Sequence, residues 1–146
     1  MLQRTKIKAL LAADAPLGEV LVKGWVRTRR DAKDFSFIEL NDGSSLKNIQ
    51  VIANNNLNNY DDVKKLSTGS SVAVTGDMVA SQGGSQKFEI IAKDILIYDI
   101  ADEDYPLQKK KHTDEYLRTI AHLRPRTNKY GAAFRIRSEL AFAIHK

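Results

Sequence analysis

Cysteine is absent from the sequence. That excludes disulfides and cysteine-ligated zinc, and it accords with a reducing compartment. No apolar run approaches the length of a membrane span. The amino-terminal stretch MLQRTKIKALLAADAP carries basic residues, but its apolar run, Ala9–Ala13, is too short for a signal peptide. Neither G-x-x-x-x-G-K-[ST] nor G-x-G-x-x-G occurs, so no phosphate loop is legible. Gly83-Gly84 reads as a hairpin tip. His112, His122 and His145 are scattered without metal-ligand spacing, and no Ser-His-Asp set can be argued. These absences point to a binding module in a soluble, cytoplasmic setting, not to a catalytic centre.

What is present is unevenly charged. The 146 residues carry a net +5. Residues 1–105 hold 13 Lys and Arg against 15 Asp and Glu, a balance of −2, and residues 106–146 hold 10 against 3, a balance of +7. Within the near-neutral first part, Lys23, Arg27, Arg29, Arg30 and Lys33 form a stripe interrupted only by Asp31 among charged residues. A local basic stripe suggests a directed anion site. The other reading is an edge strand blunted by charge.

Periodicity supplies the elements. Ile7, Leu10 and Leu11 stand at i, i+3 and i+4, which predicts a short amphipathic helix. GEVLVKGWVRTRR sends Val20, Val22 and Val26 inward, and Gly24 permits a bend or a close backbone approach. Phe35–Asn41 reads as the second strand and NDGS as a turn. Leu46–Ala53 reads as the third strand, about Asp61 to Leu66 as a short helix closed by Gly69, Ser71–Ala80 as the fourth strand and Lys87–Tyr98 as the fifth. Three strands, a helix and two strands predict an all-β domain with appended helices, a five-stranded Greek-key barrel of the OB type. An SH3-like barrel lacks a helix at that position.

The acidic DIADEDYP marks a boundary, so the expected division is a barrel with its helix over 1–104, a hinge over 105–127 and a helix over 128–146. Thr113 is placed to cap a helix carrying Tyr116, Leu117 and Ile120, which Pro125 stops. The last helix is apolar over much of its surface through Phe134, Ile136, Leu140, Ala141, Ala143 and Ile144. Such a surface demands a large neighbour. The expectation is a piece of a longer protein; the alternative is a homodimer helix.

The outer barrel face carries the functional signal. In the second strand Ser36, Ile38 and Leu40 share the core face, which turns Phe35, Phe37 and Glu39 outward. By the same parity Lys23, Trp25, Arg27 and Arg29 face out from strand one, and Asn48 and Gln50 from strand three. Aromatic faces stack unpaired bases, arginines hold phosphates, and an amide reads a base edge. Phe37, in mid-strand beside the basic stripe, is the stacking candidate. Trp25 is expected to pack under the first helix, and Phe35 to cover the barrel mouth. A bulge in strand one would flip the parity of its arginines.

GWVRTRRDAKDFSFIELNDGS, then IQV, then IAHLRPRTN and FRIRSELAFAIHK resemble the asparaginyl-tRNA synthetases over essentially the whole chain. The G-W-V-x-x-x-R-D pattern is shared with the aspartyl and lysyl enzymes; HLRPRT, His122 to Thr127, points to the asparaginyl branch. The resemblance implies an anticodon-binding OB domain, a hinge, and the start of a class II catalytic domain. The whole enzyme activates asparagine with ATP and magnesium and is a homodimer. Residues 128–146 resemble the start of its interface helix, and the ATP-binding motifs are not in this sequence, so this chain is expected to bind asparagine tRNA without aminoacylating it. The same resemblance assigns Phe37 to stacking on the central anticodon base, Gln50 to that base's edge, Arg30 to the anticodon's vicinity and Glu89 to a flanking base. Strict alternation would turn Arg30 inward, so a turn or bulge must begin there. The loop VASQGGSQK departs from the aspartyl pattern and leaves recognition there unassigned, with Ser81, Gln82 and Lys87 as candidates. Rival readings are an aspartyl-type domain, a free-standing single-strand binder and a protein-interaction barrel.

Overall fold

The computed structural model describes residues 2–84 and 86–146. The chain divides into two compact units, one through Tyr105 and one from Pro106 to Lys146.

The first unit is built on β1 (Gly18–Asp31), β2 (Phe35–Asn41), β3 (Ile49–Asn54), β4 (Ser71–Ala80) and β5 (Phe88–Asp99). They close a barrel in the order β1-β2-β3-β5-β4. All pairings are antiparallel except β3 with β5. One long strand makes closure possible: β1 pairs with β4 through Gly18–Trp25 and with β2 through Trp25–Asp31. Where it changes partner it passes so close to the next strand that a Cβ on Gly24 would lie 2.6 Å from the Asn41 carbonyl oxygen. A second close approach is on β4, where a Cβ on Gly76 would lie 2.2 Å from the Ile91 oxygen.

Val20, Val22, Val26, Ile38, Leu40, Ile49, Val51 and Ile90 fill the barrel, as period-two patterning requires. Helix α1 (Ile7–Leu11) adds Ile7 and Leu10 to the same core. Its amino end is held in trans: the Ile7 N–H donates to Asp42 Oδ2 (3.0 Å) and the Lys8 N–H to Ser44 Oγ (2.9 Å). Trp25, expected beneath this helix, is 39% exposed and outside the core.

Strand β2 has its expected bounds. Strand β3 starts at Ile49, later than the expected Leu46, because the Asn41 amide donates to the Ser45 and Lys47 carbonyls and to Asn48 Oδ1. These bonds hold that segment as a turn, not a ladder. Helix α2 (Tyr60–Val63) is shorter than expected, its following residues continuing in single-turn bonds to Leu66.

In the second unit Thr113 caps α3 (Asp114–Thr119), accepting from the Tyr116 N–H. The helix ends before Pro125, which lies in a 3-10 turn over Arg124–Arg126. Thr127 caps α4 (Asn128–His145). Arg124 lies over the rings of Tyr130 and Phe134, at 4.9 and 5.5 Å from their centroids. Ile136, Leu140, Phe142 and Ile144 of α4 are exposed. Among the described residues no helix is long and apolar enough to cross a membrane.

Candidate nucleic-acid interface

A bulge in β1 decides which arginines meet the aromatic face. Trp25 and Val26 pair with Asn41 and Leu40, and then the register steps to Thr28 opposite Glu39. Arg27 occupies the extra position. Beyond it Arg30 lies opposite Phe37 on the outer face, and Arg29 opposite Ile38 on the inner one. The expectation that Arg29 faces out is therefore corrected. Its Nε donates to the Leu66 carbonyl (2.9 Å) and one terminal nitrogen to both Asp31 oxygens (2.7 Å). Asp31 also accepts from Ser36 Oγ, which in turn meets the Tyr60 hydroxyl at 3.0 Å. Arg29 is thus a strut between β1 and the segment after α2. Arg27 does not line the cleft described next.

The remaining candidates converge. Arg30, Phe37, Gln50 and Glu89, from β1, β2, β3 and β5, line one cleft of about 730 Å³ with Phe35 and Ser81. The Arg30 guanidinium carbon lies 5.0 Å from the Phe37 ring centroid. Phe35 meets Phe37 edge-to-face, centroids 5.0 Å apart and planes at 89°. Phe35, expected as cover, is a buttress that sets the tilt of its neighbour. The cleft thus offers a hydrocarbon ring, a planar cation and hydrogen-bonding groups together, the combination a splayed-out base requires.

The polar wall is built by a contact 39 residues apart in sequence. The parallel register sets Gln50 beside Glu89. Gln50 Nε2 donates to Glu89 Oε2 (3.1 Å), and Ser81 Oγ donates to the same oxygen (3.0 Å). Ser81 Oγ also accepts from the Gly83 N–H (3.2 Å). Glu89 is 5% exposed and lines the cleft. Asn48 is drawn off, donating to Glu39 and accepting from Asn41. Composition could not have singled out Ser81, because its role depends on the β4–β5 pairing, which continues through the Ser81 N–H to the Lys87 carbonyl and sets Ser81 within reach of Glu89. Among the described residues no group of three or more His, Asp or Glu could hold a metal ion.

A closed barrel in this strand order, with an aromatic–cation pair and an amide–carboxylate pair on one outer face, defines an OB-fold of the nucleic-acid-binding kind. The chain belongs to the tRNA anticodon family of OB-fold nucleic acid binding domains, whose family model matches residues 20–98. It is 57% identical over 146 residues to the asparagine–tRNA ligase of Nitratidesulfovibrio vulgaris (strain DP4), a match covering 99% of this chain and 32% of the relative. With the asparagine–tRNA ligase of Geotalea uraniireducens (strain Rf4) the identity is 52% over 146 residues, covering 100% and 32%. The resemblance to the asparaginyl branch read in HLRPRT thus extends along the chain, which spans about a third of these curated relatives. In fold it resembles the crystal structure of asparaginyl-tRNA synthetase from Pyrococcus horikoshii, with a TM-score of 0.83 at 22% identity, covering 98% of this chain and 34% of that one.

Proposed function

We propose that this chain is the anticodon-reading part of an asparagine–tRNA ligase and that the cleft on its barrel receives the anticodon loop of asparagine tRNA. The convergence of Arg30, Phe37, Gln50 and Glu89 from four strands into one cleft carries this reading. Phe37 stacks the central base, and Gln50 meets its edge. Arg30 extends the stacking surface or holds a phosphate. Glu89 offers an acceptor to a neighbouring base. Arg27 adds charge near the loop, and Arg29 acts through the barrel, not on RNA. ATP, magnesium, aminoacylation, the homodimer and the cytoplasmic setting belong to the proposed whole enzyme; no residue of this chain is assigned to ATP or to the metal.

Fluorescence anisotropy with an anticodon stem-loop carrying GUU, beside one whose central U is changed to C, tests the reading. Preference for GUU supports it. Equal, salt-sensitive binding to both would reduce the domain to a general single-strand binder, and no binding to either would exclude this face as the RNA site.

A further inference from the structure

We propose that Glu89, held by Ser81, locks the orientation of the Gln50 carboxamide and so selects uracil over cytosine at the base the amide reads; this rests on the anticodon reading above. A carboxamide has an oxygen that accepts and an NH2 that donates, and turning it over exchanges them. Uracil presents its N3–H donor beside the O4 acceptor. Cytosine presents the N3 acceptor beside the N4 amino donor. For a base held in one place by stacking, one amide orientation suits uracil and the reversed one suits cytosine. A freely turning glutamine would take either.

Gln50 does not turn freely. Its Nε2 donates to Glu89 Oε2 at 3.1 Å. An ionised carboxylate only accepts, so the reversed amide would set oxygen against oxygen. Glu89 is 5% exposed, which leaves that repulsion poorly screened. The carboxylate cannot simply swing aside, because Ser81 Oγ holds the same oxygen at 3.0 Å and is itself fixed by the Gly83 N–H at 3.2 Å. Ser81 and Glu89 are thus positioning residues for the central base, acting through Gln50.

Anisotropy titrations of the 146-residue chain with the GUU and GCU stem-loops read the ratio of the two dissociation constants. E89Q removes a negative charge, which strengthens binding to any RNA, and the ratio cancels that effect. A glutamine at 89 both donates and accepts, so it tolerates either orientation of Gln50. The ratio is expected to fall at least about tenfold in E89Q, through a gain for the cytosine loop, since one mispaired hydrogen-bonding group is worth about that much. S81A, which keeps the charge, is expected to lower the ratio about threefold by loosening a single hydrogen bond. S81T keeps the hydroxyl and retains the wild-type ratio. A merely damaged variant loses affinity for both loops and gains none. If folded E89Q keeps the wild-type ratio, the lock is refuted, and if E89Q does not fold, an unchanged ratio in S81A refutes it. If the wild-type chain itself binds both loops equally, the anticodon reading fails first and the lock falls with it.

Discussion

At the residue scale, two neighbouring arginines have opposite duties. Arg30 faces the cleft with its guanidinium over Phe37, and Arg29 is tied to Leu66 and Asp31. Arg30→Ala is expected to weaken RNA binding while leaving the melting temperature near that of the wild type. Arg29→Ala is expected to cost about 1–3 kcal/mol of stability, because it leaves the Leu66 carbonyl without its side-chain donor and the Asp31 carboxylate with Ser36 alone. Thermal melts and anisotropy on the two variants separate the roles, and equal RNA losses with equal melts would return Arg29 to the binding face. Phe37→Ala is expected to weaken stem-loop binding by about 1–3 kcal/mol, the usual worth of one base–aromatic stack. The outward turn of Phe37 was legible in strand alternation. Its buttress was not, since Phe35 and Phe37 share a face by parity but their edge-to-face geometry depends on side-chain packing.

At the element scale, the Asn41–Ser44 turn does more than join two strands. Asp42, with a side chain only 1% exposed, accepts the Ile7 N–H that opens α1 and lies 3.5 Å from Arg4. Burial pushes its carboxyl up, but the Ser44 hydroxyl and N–H, the Ile7 N–H and the Arg4 charge outweigh burial and hold it below the ordinary value of 3.8. A folded-state value below the unfolded one means that this stabilisation is complete above 3.8 and is lost as pH falls through the folded value. The protection factors of the Ile7 and Leu10 amides, with the pH dependence of intrinsic exchange divided out, should therefore fall as pH drops below 3.8 in the wild type, whereas in Asp42→Asn they should be low already at neutral pH and nearly flat with pH. A wild-type profile equally flat would remove Asp42 as the clasp. The glycines speak at the same scale. Gly76→Ala is expected to destabilise the barrel by more than about 1 kcal/mol, since its methyl group meets the backbone of β5 and not a side chain able to move. Chemical denaturation measures it. A turn was legible in NDGS; that it clasps α1 was not, because the two segments are 35 residues apart.

For the whole molecule, charge and topology combine. A barrel unit of balance −2 that binds RNA must do so through a local basic site, and not through bulk attraction. The logarithm of affinity is expected to fall with the logarithm of salt, with a slope of about −0.7 for each phosphate contacted, as for single strands. A slope near zero in a titration across salt would identify an apolar interface instead. The second unit brings the net charge to +5, so a comparison of slopes for residues 1–105 and for the full chain would apportion the phosphate contacts.

The order of strands, the core face of β2, the short helix before β4, the cap at Thr113 and the outward Phe37 all followed from the sequence by itself. Each depends on a period or a local propensity that neighbouring residues carry among themselves. Tertiary structure alone decided three things. The bulge that the sequence reading required at Arg30 lies instead at Arg27, and so chose Arg30 over Arg29 for the cleft, because the position of a bulge is a mismatch between two strands and is not written in one. The Asn41 amide delayed β3, because a side chain claimed backbone carbonyls that a ladder would have used. The Gln50–Glu89–Ser81 group formed because β3 and β5 lie side by side only after the barrel has closed. Local chemistry names the side chains that can read a base, and closure of the sheet determines which of them meet.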